Sequence, residues 1–435
     1  MKAAACPFTG WGLLLLLGVA AAEMFLPWPW SVWALPALAA LGLGTGLVCG
    51  AIPGRIWLAS AALLGLIALY AWNPTHRWAD GIGLQPVAHL RLLPGSASAA
   101  DTWNTLGLAA AMMAAFALAF QLAPRQVCGL QLAACAGAVA MALLVLGQRF
   151  EPKRYPIYEF TGIFVNENHF AAFANLILPV VLALAARARF RAVQAGRPSS
   201  PAGLFLLGAA VLGAAVVMCR SRAGVAVLAL LVAAQALLYR RLLRQHPFWE
   251  IPAWPGIRLL GWLAVAALAV LVVAAFAQGW RHLDGFLREW YFRSGILLDA
   301  GQAWRESPVW GTGPGTFSVV YPFYQSAAFA GRTILHAHCE PVQFLTEFGL
   351  LGGLWALGAG GLALSARRRN RSPAPEIPAF AELERWAFGL GLAACGLHCL
   401  VDFPLRIPLI ALLAAAWAGV WAGTRSGPRE KAAAP

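Results

Sequence analysis

The chain has 435 residues, 60% of them hydrophobic and only 11% charged. That balance excludes an ordinary water-soluble enzyme, because apolar runs of about 20 residues, long enough to cross a bilayer, recur from end to end. The net charge of +14 does not read as a nucleic-acid surface. With the N-terminus placed in the cytoplasm, the whole excess falls on the loops of that side, which is the positive-inside pattern.

Twelve spans are predicted in chain order, at roughly 11–26, 31–49, 56–72, 103–122, 127–147, 163–186, 203–219, 223–239, 258–277, 340–364, 386–402 and 405–422. Backbone polar groups in lipid must be satisfied within their own segment, so each span is expected to be helical. The expected fold is therefore all-α, a polytopic membrane protein of about 12 transmembrane helices with both termini in the cytoplasm. The basic stretches RARFRAVQAGR (187–197), RRLLR (240–244) and RRRNR (367–371) then read as topology signals. Lys2, the leucines 13–17 and Ala20–Ala22 also fit a signal peptide, but the charged region is thin and a retained first helix is expected. The eight cysteines form no CxxC pair, so they read as packing residues rather than a zinc site or a disulfide framework.

Four parts are expected: N-terminal helices over 1–277, a large periplasmic loop over 278–339, C-terminal helices over 340–422 and a basic cytoplasmic tail over 423–435. A second outward loop, 73–102, carries Asp80, His89, Arg91 and Asp101. A connection as long as 278–339 is uncommon without a function. Inside it, Phe292, Ile296, Ala300 and Ala303 recur at helical spacing within residues 286–308. With Trp290, Tyr291 and Trp304 they predict an amphipathic helix lying on the outer membrane surface. GTGPGTF (311–317) reads as a flexible turn ending it.

Five outward clusters carry the polar chemistry. FVNENHFAAFAN (164–175) brings Asn166, Glu167, Asn168 and His169 to the mouth of a span, as a cavity lining or as helix caps. CRSRAG (219–224) holds Arg220 and Arg222 in a tight turn, where guanidinium groups suit phosphate, carboxylate or lipid headgroups. Arg293 stands on the amphipathic helix. TILHAHCEPVQFLTEFGLLGG (333–353) places His336 and His338 ahead of Glu340 and Glu347, an arrangement suited to proton transfer or to a purely structural pair. HCLVDFPLRIP (398–408) puts His398 and Asp402 four apart on one helix face, with Arg406 following. The H-x-H-x-E spacing matches no helix-borne zinc motif, and no nucleotide-binding motif stands on the cytoplasmic side. No metal and no cofactor are expected. An outward site without a nucleotide points to a substrate already activated and delivered on a lipid.

These blocks resemble the O-antigen ligase and O-antigen polymerase family, bacterial membrane enzymes of the GT-C type. HCEPVQFLTEFGLLGG resembles the family's pattern of His, then Asn, Ser or Gln, nine residues and Gly-x-x-Gly, with Cys339 departing from it after His338. SRAG (221–224), RSGILLDAGQAWRESPVWGTGPGTF (293–317), GIFVNENHFAAF (162–173) and VDFPLRIP (401–408) fit further blocks, so the likeness covers 160–410. The resemblance implies a glycosyltransferase of the bacterial inner membrane. It would move or polymerise a glycan from an undecaprenyl-diphosphate carrier onto a glycan, lipid or protein hydroxyl at the periplasmic face. Carried over, Arg222 and Arg293 bind the diphosphate and His338 activates the acceptor or assists transfer. His336 is a second candidate base. Arg220, Asn166, Asn168, His169, Glu340 and Asp402 are expected to line the substrate site. A transporter or flippase of lipid-linked saccharides is the alternative. It would need polar groups at mid-membrane and usually internal repeats, whereas charges within the spans are nearly absent here, the ionisable residues gather at one face and no internal repeat is evident.

Overall fold

The computed structural model describes residues 8–23, 30–49, 52–79, 83–150, 161–245, 283–369 and 379–423. The span predicted at 258–277 and Asp80 lie outside them. Among the described residues there are thirteen α-helices: α1 (Phe8–Glu23), α2 (Trp30–Cys49), α3 (Gly54–Trp72), α4 (Ala99–Phe120), α5 (Pro124–Phe150), α6 (Glu167–Gln194), α7 (Ala202–Met218), α8 (Arg222–Gln245), α9 (Leu283–Glu306), α10 (Phe317–Val320), α11 (Glu340–Arg369), α12 (Ala379–Cys399) and α13 (Pro408–Gly423). Six of them are long and apolar enough to cross a membrane, and four shorter ones are also apolar. The chain is an all-α polytopic membrane protein. One departure is a short antiparallel pair, β1 (His76–Ala79) with β2 (Gly83–Pro86), inside the loop expected at 73–102.

Two helices organise the bundle. The span in α6 is 89% buried, which makes it the central post, and α5, α7, α8 and α12 pack around it. On the other side α4 meets α1, α2, α3 and α13. Small residues let these helices approach closely, as membrane interfaces require. A Cβ at Gly419 of α13 would stand 2.4 Å from the Phe116 carbonyl oxygen of α4.

The large loop has its own small core. Ile296, Ala300 and Ala303 of α9 are buried, as their spacing predicts. Ile296 and Ala300 pack on Phe317, Tyr321, Phe329, Ile334 and Ala337, and partly buried Phe292 borders that cluster. Ala303 packs with Ala97 and Val320. Loop side chains therefore cover this face of α9. Leu287, Trp290, Tyr291 and Leu298 form a second, exposed apolar stripe.

The predicted flexible turn is instead a tied strap. α11 breaks at Gly349, whose φ of 61° and ψ of −163° lie outside the helical range. The break frees backbone donors and acceptors, and buried ones must find partners. The strap supplies them. Leu350 N and Leu351 N donate to the carbonyls of Pro308 and Val309 at 2.9 and 3.2 Å, while Thr312 N and Gly313 N donate to those of Thr346 and Glu347 at 3.0 and 2.9 Å. A Cβ at Gly349 would sit 2.3 Å from the Val309 oxygen, so only glycine fits there. The Tyr70 hydroxyl of α3 donates to the Trp310 carbonyl, and Ala97 N donates to the Thr312 carbonyl at 2.9 Å. One polar end of the bundle is thereby drawn into a single packed unit.

Candidate active site

The site is assembled around the hairpin between α12 and α13. The last turn of α12 runs on as Val401 N and Asp402 N donate to the His398 carbonyl at 3.0 and 2.9 Å. Pro404 then fixes a short 3-10 turn over Pro404–Arg406. Asp402 and Phe403 meet the same two histidines, His169 and His338, while Arg406 reaches the glutamates of α11.

Asp402 is buried, with 1% of its surface exposed. Its Oδ1 accepts from Phe403 N at 2.9 Å and lies 3.4 Å from His338 Nδ1 and 3.8 Å from His169 Nε2. Burial raises its pKa, but the two imidazoles outweigh that and hold the carboxyl below the usual carboxylate range. Asp402 is therefore an ionised partner shared by two histidines. Asp402 and His398 share a helix face, as their spacing implies, but His398 Nε2 lies 3.1 Å from Asn175 Nδ2, and the carboxylate reaches across to His169 of α6 and His338 of the large loop.

His338 has a φ of 51°, a left-handed conformation that costs a residue with a side chain about 1–3 kcal/mol and marks a constrained place. Gln343 fixes the segment. Its Oε1 accepts from Ala337 N at 3.1 Å, and its Nε2 donates to Glu347 Oε1 at 2.9 Å and lies 3.3 Å from His336 Nδ1. Burial, and then the Arg406 charge, lower the His336 pKa to about 4, so its ring is neutral at physiological pH. The Phe403 ring stands between three imidazoles, with centroids 4.1 Å from His336, 4.7 Å from His169 and 5.1 Å from His338.

Beneath these rings Arg406 joins the hairpin to α11. Its Nη2 donates to Glu347 Oε2 at 2.8 Å and its Nε to Glu340 Oε2 at 3.4 Å. Glu347 also accepts from Gly315 N of the strap at 2.9 Å, and Glu340 from Leu405 N at 3.1 Å. Burial opposes the Arg406 charge, yet the two carboxylates outweigh it and raise its pKa. Glu340, expected as a substrate contact, is engaged by the hairpin.

The arginines come from two other elements. The turn before α8 is tight, with Arg220 exposed at a φ of 67°. Ser221 Oγ accepts from Gly224 N at 2.9 Å and donates to Asn168 Oδ1 at 2.6 Å. Asn166 caps α6, its side chain accepting from Asn168 N at 2.7 Å. Arg222 Nη1 donates to Glu289 Oε2 at 3.2 Å, and Arg293 Nη2 donates to Glu289 Oε1 at 2.8 Å. Arg293 Nη1 also donates to the Val401 carbonyl, next to Asp402. Arg222, Arg293, Asp402, His338, His169 and His336 thus form one continuous constellation at one end of the bundle. Sequence reasoning missed Glu289 as the bridge, Phe403 as the divider and Gln343 as the brace. The four-residue spacing of Glu289 and Arg293 was the one available signal among these. Among the described residues no three His, Cys, Asp or Glu side chains are grouped to hold a metal ion.

Residues 207–357 match the family model described as O-antigen ligase. The match runs from α7 through Arg222, Arg293 and both loop histidines into α11, and it supports the O-antigen ligase and polymerase family. No curated protein matches the chain.

Proposed function

We propose, from the premise that the central part of this chain is an O-antigen ligase domain, that the protein transfers or polymerises a glycan from an undecaprenyl-diphosphate carrier onto an acceptor hydroxyl at the periplasmic face of the bacterial inner membrane. The observation that carries the reading is the pair Arg222 and Arg293. Two guanidinium groups from separate elements share one carboxylate, and one of them is bonded to the hairpin that presents Asp402 toward His338.

The chemistry follows from those positions. The acceptor oxygen attacks the anomeric carbon while the bond from that carbon to the diphosphate oxygen breaks. The electron pair leaves with the lipid diphosphate, and the acceptor proton passes to His338. Arg222 and Arg293 stabilise the charge that grows on the leaving group, the kind of preorganised electrostatic aid that accounts for much enzymatic acceleration. Asp402 orients the imidazole and stabilises the imidazolium that forms. His338 is preferred over His336 as the base because its ring faces a carboxylate, whereas His336 stands beside Gln343 and Arg406 and binds a proton weakly. The prenyl tail remains among the apolar helices.

The test is transfer in proteoliposomes supplied with lipid-linked glycan and acceptor. Wild-type protein should yield covalent product. Arg222→Ala, Arg293→Ala and His338→Ala should each lose at least about 10²-fold while inserting normally. Movement of lipid-linked glycan across the bilayer without product would support a flippase instead.

A further inference from the structure

We infer that Glu289 is an internal anion that competes with the donor's diphosphate for Arg222 and Arg293, so that the site closes on its own carboxylate between turnovers. The inference rests on the reading of these arginines as the diphosphate site. Each Glu289 oxygen takes one guanidinium, Oε2 at 3.2 Å from Arg222 Nη1 and Oε1 at 2.8 Å from Arg293 Nη2. A carboxylate across two arginines occupies donors that a phosphate would use, since both anions suit the same planar fork.

The contacts are built to be exchanged. Glu289 is 47% exposed, and Arg222 is 44% exposed. Ion pairs this open to water contribute little, and a diphosphate carries more charge and more acceptor oxygens than a carboxylate. Arg293, 23% exposed, keeps its bond to the Val401 carbonyl, so one arginine stays registered against the hairpin when Glu289 leaves. Glu289 and Arg293 share α9, so the exchange frees the loop helix from the α8 turn at the moment donor arrives. Release of lipid diphosphate product returns the carboxylate to the arginines, which favours departure of a product otherwise held as tightly as the donor.

The experiment is calorimetric titration of the purified full chain with farnesyl diphosphate, a soluble prenyl diphosphate. Glu289→Gln keeps size and hydrogen-bonding capacity at a half-exposed position and removes the charge. It should bind the probe about three- to tenfold more tightly, the scale that two half-exposed ion pairs carry. Equal or weaker binding by Glu289→Gln overturns the inference. Arg222→Ala and Arg293→Ala in the same assay separate the two claims. If they weaken binding while Glu289→Gln fails to tighten it, only the competing role falls. If they leave binding unchanged, the diphosphate site and the competition fall together.

Discussion

Removal of the Arg406 guanidinium should be the most damaging single change at the polar end of the bundle. Arg406 is 17% exposed, Glu340 is 12% exposed and Glu347 is fully buried. Arg406→Ala leaves Glu347 with Gly315 N and the Gln343 amide, and Glu340 with Leu405 N. Breaking a buried ion pair by removing one partner costs about 3–5 kcal/mol, because the other charge stays desolvated. The retained hydrogen bonds place this case near the lower end, at about 3 kcal/mol. The assay is unfolding of the purified protein in mixed micelles by SDS titration, followed by circular dichroism. Arg406→Met combined with Glu347→Gln removes the guanidinium together with the fully buried carboxylate, leaving Glu340 as the one remaining charge of the three, and should recover part of the loss. Unfolding of Arg406→Ala within about 1 kcal/mol of wild type would refute the reasoning, and so would a double variant no more stable than the single one.

Gly349→Ala should cost about 2–3 kcal/mol in the same assay, from the left-handed backbone alone, and its Cβ would also meet the Val309 oxygen at 2.3 Å; a neutral result would remove the strap from the account. Asp402→Asn should lower kcat about 10²-fold with little change in KM, read from initial rates of transfer, whereas a change in KM alone would make Asp402 a binding group. His336→Gln should flatten stability against pH. The folded pKa near 4 lies below the unfolded value of 6.5, so the unfolded chain binds the extra proton between those limits and wild type loses stability as pH falls through that window. An undiminished slope in His336→Gln would show that another group sets it.

Much of the fold was legible because lipid imposes a simple rule on the backbone. Apolar runs such as 203–219 and 405–422 mark α7 and α13 to within a few residues. The apolar spacing of Phe292, Ile296, Ala300 and Ala303 revealed α9, but periodicity shows that a face is covered and not by what, so the loop side chains that pack on it were not foreseen. Glycines at 311, 313 and 315 signalled unusual backbone. That they mate with a break at Gly349 depends on contacts more than thirty residues away. Asp402 and His338 stood out singly as charges at span ends. Their pairing was illegible because it depends on how the hairpin after α12 turns at Phe403 and Pro404, a matter of tertiary geometry rather than spacing. Glu289 was passed over for a related reason: an acidic residue beside an arginine on an exposed helix usually reads as a local pair, and its second arginine arrives from α8.

The central claim is that donor phosphates and the base belong to one place. A cryo-EM structure of the full chain in nanodiscs with undecaprenyl diphosphate tests it directly. The expected density puts the phosphates on Arg222 and Arg293, beside the hairpin bearing Asp402, with His338 facing the glycosyl side. Phosphates bound elsewhere, with both arginines still on Glu289, would contradict it.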